Sequence, residues 1–180
     1  LKKWDYRCGE NSLAATLAIE WGQKLFSLIN KSIETNDQVE KVKYFAANAI
    51  AGELIDPMFA TIKELQIKYG TWQMPWGEIN RFQRISSDID NKFDDNKPSI
   101  PVGFAASTWG MLPSYSSLTF QGKKKRYGVH GNSFICAVEF GKKVKAKSLL
   151  AGGESGNTNS THFFDQGLMY SKGQFKDVLF

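Results

Sequence analysis

The sequence predicts an α+β fold, N-terminal helices followed by antiparallel strands, and three observations carry that expectation. Up to residue 70, apolar side chains recur at steps of three and four, the period of an amphipathic helix. From Ser114 onward they recur at a step of two, the period of a strand. The two textures follow one another without interleaving, which argues against the βαβ repeats of a parallel sheet. The 180 residues are 42% hydrophobic and 13% aromatic, enough for one domain with a sizeable core.

The first helix is read in "ENSLAATLAIEWGQKLFSLI", where Leu13, Leu17, Trp21, Leu25 and Leu28 form one stripe and Asn11 or Ser12 can cap the start. A second helix carries Val39, Val42, Phe45, Ala46, Ala49 and Ile50 on one face. The third is set by its punctuation: Asp56 as N-cap, Pro57 in the first turn, Gly70 at the stop, with Phe59, Ile62 and Leu65 between.

Beyond Gly70 the run "TWQMPWGEINRFQR" is ambiguous and is read as a strand, and "SSDIDNKFDDNKP" as a polar loop. "SYSSLTF" is a short strand and "QGKKKR" a turn. In "SFICAVEF", Phe134, Cys136, Val138 and Phe140 alternate with Ile135, Ala137 and Glu139. Both sets are apolar enough that both faces are expected to be covered, with Cys136 a buried thiol. "VKAKSLLAGG" returns as the second arm of a hairpin, Lys143, Lys145 and Lys147 on one face. "THFFDQGLMYSKGQF" reads as a short helix near 162–172 closed at Gly173, and "KDVLF" as a strand. No internal repeat is present.

Composition excludes some function classes. No run of about 18 apolar residues exists to span a membrane. The charged start "LKKWDYR" leads into no apolar signal segment, but in a sequence that begins at Leu1 and not at Met this says nothing about the parent protein. A net charge of +5, from 23 basic and 18 acidic residues, is too mild to imply a nucleic-acid partner. Cys8 and Cys136 lie far apart without metal spacing, and nothing in the sequence pairs them in a disulfide.

The chemistry-bearing stretch is "GGESGNTNSTHFFDQ", which gathers Ser155, Ser160, His162 and Asp165. It fails as a nucleophile elbow, because the fifth position of G-x-S-x-G after Gly153 is Asn157 and no βαβ scaffold surrounds it. A catalytic triad is assembled from distant segments, whereas these residues are crowded together. They read instead as a cap, with Ser160 or Thr161 at the start of the short helix and Asp165 near its positive end. The glycines Gly152, Gly153 and Gly156 lack the Walker lysine and the G-x-G-x-x-G spacing of a phosphate cradle and read as a tight loop.

Two further candidates are weighed. Asp88, Asp90, Asp94 and Asp95 cluster without the glycine and terminal glutamate of a calcium loop, and His130 and His162 are the only histidines, so no metal site is expected. Lys123–Tyr127, "KKKRY", with the hairpin lysines could form a basic face, but Tyr127 alone is thin for base stacking. From the residues alone no catalytic set survives and no cofactor is expected.

Four segments then agree, in order, with one family. "GGESGNTNSTHFFDQ" followed by "YSKGQFKDVLF" resembles the C-terminal region of the penicillin amidase family, which typically carries G-G-Q-S-G-N-P-x-S-P-H-Y-x-D-Q. The matching residues are Gly152, Gly153, Ser155, Gly156, Asn157, Ser160, His162, Asp165 and Gln166. "GNSFICAVEF", "WQMPWGEINRF" and "WDYRCGENSLAATLAIEW" are similar to the family's preceding strand, tryptophan-glycine element and helix opening. Glu154 stands where glutamine is usual, Thr158 and Thr161 where prolines are common, and Asn80 where histidine is frequent.

The resemblance implies an N-terminal-nucleophile amidohydrolase of the αββα class, made as a self-cleaving precursor and acting on a small-molecule amide. Residues 1–180 would then be a single C-terminal fragment of the large chain, helical over 1–70 and mostly β over 71–180. Its partners would be the small chain and the N-terminal part of the large chain, in a periplasmic or secreted enzyme with no nucleic-acid or membrane partner. It also implies that the nucleophile and oxyanion residues lie upstream, since Leu1 has neither hydroxyl nor thiol. Apolar surface that the rest of the enzyme covers is expected around Trp72 and Trp76. The alternatives that remain are a binding module with a basic hairpin face and a small Ser/His/Asp hydrolase.

Overall fold

The computed structural model describes residues 1–88, 92–112 and 114–179. The fold is α+β, and the chain divides into two compact units: Leu1–Arg7 with Leu13–Met74, and Cys8–Ser12 with Pro75–Phe180.

The first unit holds three helices: α1 (Leu13–Ser32), α2 (Gln38–Asn48) and α3 (Ala51–Tyr69). The expected α1 stripe packs in part: Leu17 is buried and Trp21, Leu25 and Leu28 are half-buried, and the helix buries residues beside the stripe as well. Ala15, Thr16, Leu17, Ile19 and Ile29 are buried, while Leu13 is exposed. The Trp21 indole N–H donates to the Leu54 carbonyl at 2.9 Å, tying α1 to the start of α3. On α2 only Phe45 of the expected face is buried, and the helix is capped by Asp37, whose carboxylate accepts from the Val39 and Glu40 amides.

The start of α3 corrects the sequence reading. The helix begins at Ala51, so Asp56 is no cap and Pro57 lies inside. The Glu53 carboxylate accepts the Ile50 N–H at 3.0 Å, doing from the third position what Asp56 was expected to do. Pro57 then forgoes only the helical bond to the first-turn carbonyl of Glu53. Gly70 ends the helix at φ 79°, as its type allows. Leu65 is buried as expected, but Phe59 faces solvent.

The second unit holds two sheets. One has the order β2-β1-β4-β3, from β1 (Asn80–Phe82), β2 (Ile100–Pro101), β3 (Tyr115–Thr119) and β4 (Arg126–Gly131). The other has the order β5-β6-β7, from β5 (Phe134–Glu139), β6 (Lys145–Leu150) and β7 (Lys176–Val178). A single helical turn, α4 (Trp76–Ile79), precedes β1, and α5 (Gly167–Ser171) precedes β7. All pairings are antiparallel except β1 with β4, which is parallel, against the all-antiparallel expectation. The long crossover between those two strands, holding β2 and β3, is what makes a parallel neighbour possible.

β4 was not legible. Gly128 and Gly131 break its alternation, and Gly128 is required because the Tyr115 ring occupies the space a Cβ would fill. That ring reaches over to donate its hydroxyl to the Arg81 carbonyl at 2.8 Å. The core is Val102, Tyr115, Leu149 and Tyr170, with Phe82 edge-on to Tyr115, Phe164 and Tyr170. Trp76 belongs to this interior, only 2% exposed, with its indole N–H on the Phe104 carbonyl, so it is not the exposed contact expected of it.

β5 corrects a second expectation. Its pairing and register with β6 follow the alternation, but every residue except Ile135 is exposed. Cys136 is therefore an exposed free thiol. Ile135 alone points to the core beside Leu149, leaving the Phe134, Cys136, Val138 face open. The final Phe180 of the expected strand "KDVLF" lies outside the described residues.

Candidate functional site

The glycine-rich stretch leaves β6 and folds back on itself. Gly152 turns the chain at φ 88°, a conformation a side chain resists. A Cβ on Gly153 would overlap the His162 carbonyl oxygen and come within 2.8 Å of the Phe163 carbonyl carbon, so this position must be glycine. Two backbone bonds close the loop: Ser155 N–H to His162 O at 3.0 Å and Gln166 N–H to Gly152 O at 2.7 Å. The Glu154 carboxylate accepts from the Gln166 side-chain Nε2 at 3.0 Å and pairs with Lys176 at 3.3 Å. Those two donors hold its carboxyl below the ordinary range.

The hydroxyl-bearing residues brace the same loop. Ser155 Oγ accepts from the Asn157 amide at 3.0 Å, and Ser160 Oγ from the His162 amide at 3.1 Å. His162 Nδ1 meets Asp165 Oδ2 at 2.8 Å. The hydrogen bond and charge of Asp165 raise the imidazole pKa, and the imidazole lowers that of Asp165. Among the described residues no serine hydroxyl bonds the imidazole. A base and an orienting carboxylate are present, but the nucleophile that a hydrolytic triad needs is not brought to them.

Two details of the expected cap change. The helix starts at Gly167, so Ser160 makes a local turn and caps nothing. His162 faces solvent, with its side chain 70% exposed. Its neighbour Phe163 is buried, and residues 161–166 run as turns and bends before the helix begins at Gly167.

The other candidates resolve into structural contacts. Asp88 pairs with Lys92 at the surface, and Asp94 accepts from the Asn96 amide. Asp95 loses hydration, yet bonds from the Lys124 amide, the Tyr127 hydroxyl and the Lys125 amide hold its carboxyl below the usual range. Asp90 lies outside the described residues. Tyr127 is fully buried and stacks on Phe93 with ring centroids 4.7 Å apart, so it cannot serve a base. Lys145 and Lys147 of the hairpin face Glu139 and Asp177. Burial raises the Cys8 thiol pKa, which makes it a poor nucleophile. Burial likewise pushes Tyr170 up to about 12. Among the described residues no helix is long and apolar enough to cross a membrane.

A model of the penicillin amidase family matches the chain over residues 1–180. The chain belongs to the penicillin amidase family. That makes it a portion of an acylase-type hydrolase, and it gives the closed loop its meaning as a family element held in place by the rest of the unit.

Sequence reasoning missed what does the holding in this penicillin amidase chain. Arg84, in the run read only as a strand, sends Nη1 to the Phe163 carbonyl and lays its guanidinium 4.1 Å from the Phe163 ring centre. The tryptophan-glycine element is pinned in a similar way. The Gly77 amide donates to Glu10 O at 2.7 Å, and a Cβ there would lie 2.7 Å from Glu10 Cβ. Glu10 in turn pairs with Lys172 at 2.6 Å, just past α5. Asn80 is fully buried and donates to the Val102 and Phe104 carbonyls at 2.8 and 2.9 Å, a role a histidine at this position could fill only in part. A lone arginine or asparagine in an ambiguous run carries no periodic signal, so only the family resemblance marked these segments.

Proposed function

We propose that this chain is the C-terminal structural portion of an amidohydrolase that hydrolyses a linear amide, such as a penicillin or an N-acyl compound, and that it supplies no reacting atom. The observation that carries the reading is the commitment of both serine hydroxyls of the loop to backbone amides, away from the imidazole. In such an enzyme an N-terminal serine elsewhere in the acylase attacks the carbonyl. Its own α-amine, with a pKa of about 7.7–8.0, takes the proton and returns it to the leaving amine. Water then cleaves the acyl-enzyme by the same route. The part played by residues 152–166 is to hold a rigid loop against which the remaining acylase chains assemble. Exposed Val39, Ile55, Phe59 and Ile67 on the helical unit give those chains apolar surface to cover.

The test is made in the assembled acylase. Ser155→Ala and His162→Ala are expected to leave kcat for penicillin G within about twofold, since a residue outside the reacting set has no transition-state charge to stabilise. A loss of about a thousandfold or more would place them in the chemistry.

A second reading has one observation in its favour, the 2.8 Å His162–Asp165 pair. It would make the chain a small hydrolase with a serine that swings in. Labelling by a serine-reactive phosphonate at Ser155 or Ser160 supports that reading, and an unlabelled chain removes it. The basic hairpin face has no observation of this kind, because its tyrosine is buried and Lys145 and Lys147 are paired with Glu139 and Asp177.

A further inference from the structure

β4 lies inside its sheet, yet only one of its two edges is paired along its whole length. β3 runs beside it to the end, with Ser117 opposite Gly128 and Tyr115 opposite Gly131. β1 lies on the other edge but pairs only Asn80 with Arg126 and Arg81 with Tyr127. The chain then leaves β4 because its next side chains are held elsewhere. Gln83 exchanges two bonds of 2.8 Å with the backbone of Asp94, and Arg84 reaches the Phe163 carbonyl. A cleft of about 530 Å³ therefore lies between the run from Gln83 to Asp88 and the run from Gly128 to Ser133. Among the described residues no strand pairs with the cleft edge of Gly128–Gly131.

The wall of the cleft adds a second demand. It includes Phe82, Tyr115, Ala151 and Tyr170. Tyr115 spends its hydroxyl on the Arg81 carbonyl. Tyr170 is 1% exposed, and among the described residues its hydroxyl has no hydrogen-bond partner. A tyrosine this deeply buried normally finds one. The cleft thus joins a main-chain edge of four residues, about 13 Å long, to a phenol donor in its wall. A compact small molecule can meet the phenol but cannot pair a line of backbone groups, whereas an extended peptide does both.

We propose that an extended segment of the remaining acylase enters this cleft, pairs with Gly128–Gly131 where β1 leaves off, and sets a hydrogen-bond acceptor on the Tyr170 hydroxyl. The cleft also selects the chemistry of that segment. Its charged groups are engaged, Arg84 on the Phe163 carbonyl and Asp88 on Lys92. A charge carried in beside Phe82 and Ala151 would lose hydration without gaining a partner. The residues that face the wall are therefore uncharged, and the one that meets Tyr170 offers an amide, hydroxyl or backbone oxygen. The inference rests on the acylase reading, since the occupant comes from outside residues 1–180.

The test is made in the assembled acylase. Photo-reactive p-benzoylphenylalanine replaces Ser133, an exposed residue lining the cleft. On irradiation it is expected to cross-link to a peptide from outside residues 1–180, identified by mass spectrometry. Tyr170→Phe then removes the phenol oxygen alone. Hydrogen exchange of the cross-linked peptide should be about 2- to 13-fold faster in that variant, the loss of one neutral hydrogen bond, while the β5–β6 amides stay unchanged. Cross-links confined to residues 1–180, or none at all, overturn the proposal. So does a cross-linked peptide whose exchange ignores Tyr170→Phe. Either failure leaves the acylase reading standing, because that reading is decided separately by kcat in Ser155→Ala.

Discussion

Arg84→Met isolates what holds the family loop in place. Methionine keeps most of the apolar stem but removes the guanidinium from two contacts, the Phe163 carbonyl and the Phe163 ring 4.1 Å away. A hydrogen bond from a charged donor contributes about 1.5–3 kcal/mol. A partly desolvated cation over a ring contributes about 0.5–2 kcal/mol. The contacts share one side chain and do not add fully, so the expected loss is about 2–4 kcal/mol, or about 30- to 700-fold in the local opening constant. The assay is native-state hydrogen exchange at the Ser155 and Gln166 amides, whose bonds to His162 O and Gly152 O close the loop. Both should exchange faster by that factor, while the β5–β6 amides of Ile135 and Ala137 change less. Exchange within about twofold of wild type would refute the claim that Arg84 holds the loop.

Three other predictions come from the same contacts. Gly153→Ala should destabilise the second unit by about 1–3 kcal/mol in urea titration, because the methyl meets backbone, whereas Gly156→Ala, with nothing within 4 Å, should stay within about 0.5 kcal/mol. Asn80→Asp should cost about 2–4 kcal/mol, since it removes both donors to Val102 and Phe104 and sets acceptors against their carbonyls. In an NMR titration His162 should have a pKa above 6.5 that returns to about 6.5 in Asp165→Asn. The raised histidine contributes stability that is full below pH 6.5 and lost as pH rises through its folded value. The lowered Asp165 contributes stability present above pH 3.8 and lost as pH falls through its folded value. The pair is therefore tightest between those two limits.

How far the sequence reaches depends on whether the physics is local. The β5–β6 hairpin and the stop of α3 at Gly70 were legible because alternation and a glycine with positive φ act within a few residues. The exposure of β5 was not, because Phe134, Cys136 and Val138 look the same whether or not another layer covers them. β4 was hidden by Gly128, whose missing side chain makes sense only once Tyr115 is seen to occupy its place. Pro57 misled for a similar reason: its local preference for a first turn yielded to a start fixed by Glu53 and Trp21. The loop of residues 152–166 was found by its composition, and the structure has Ser155 Oγ accept a backbone amide within it. Its anchor was not found, since Arg84 reaches it from 79 residues away, and the bonds of Asn80 were hidden likewise, 22 and 24 residues away in sequence.

The central claim is that this penicillin amidase chain positions and does not react. The direct measurement is hydrolysis of penicillin G, and of an acyl-homoserine lactone, by the purified 180-residue chain beside its Ser155→Ala variant. The account predicts no turnover above the uncatalysed rate for either protein. Turnover by the chain that Ser155→Ala abolishes would contradict it.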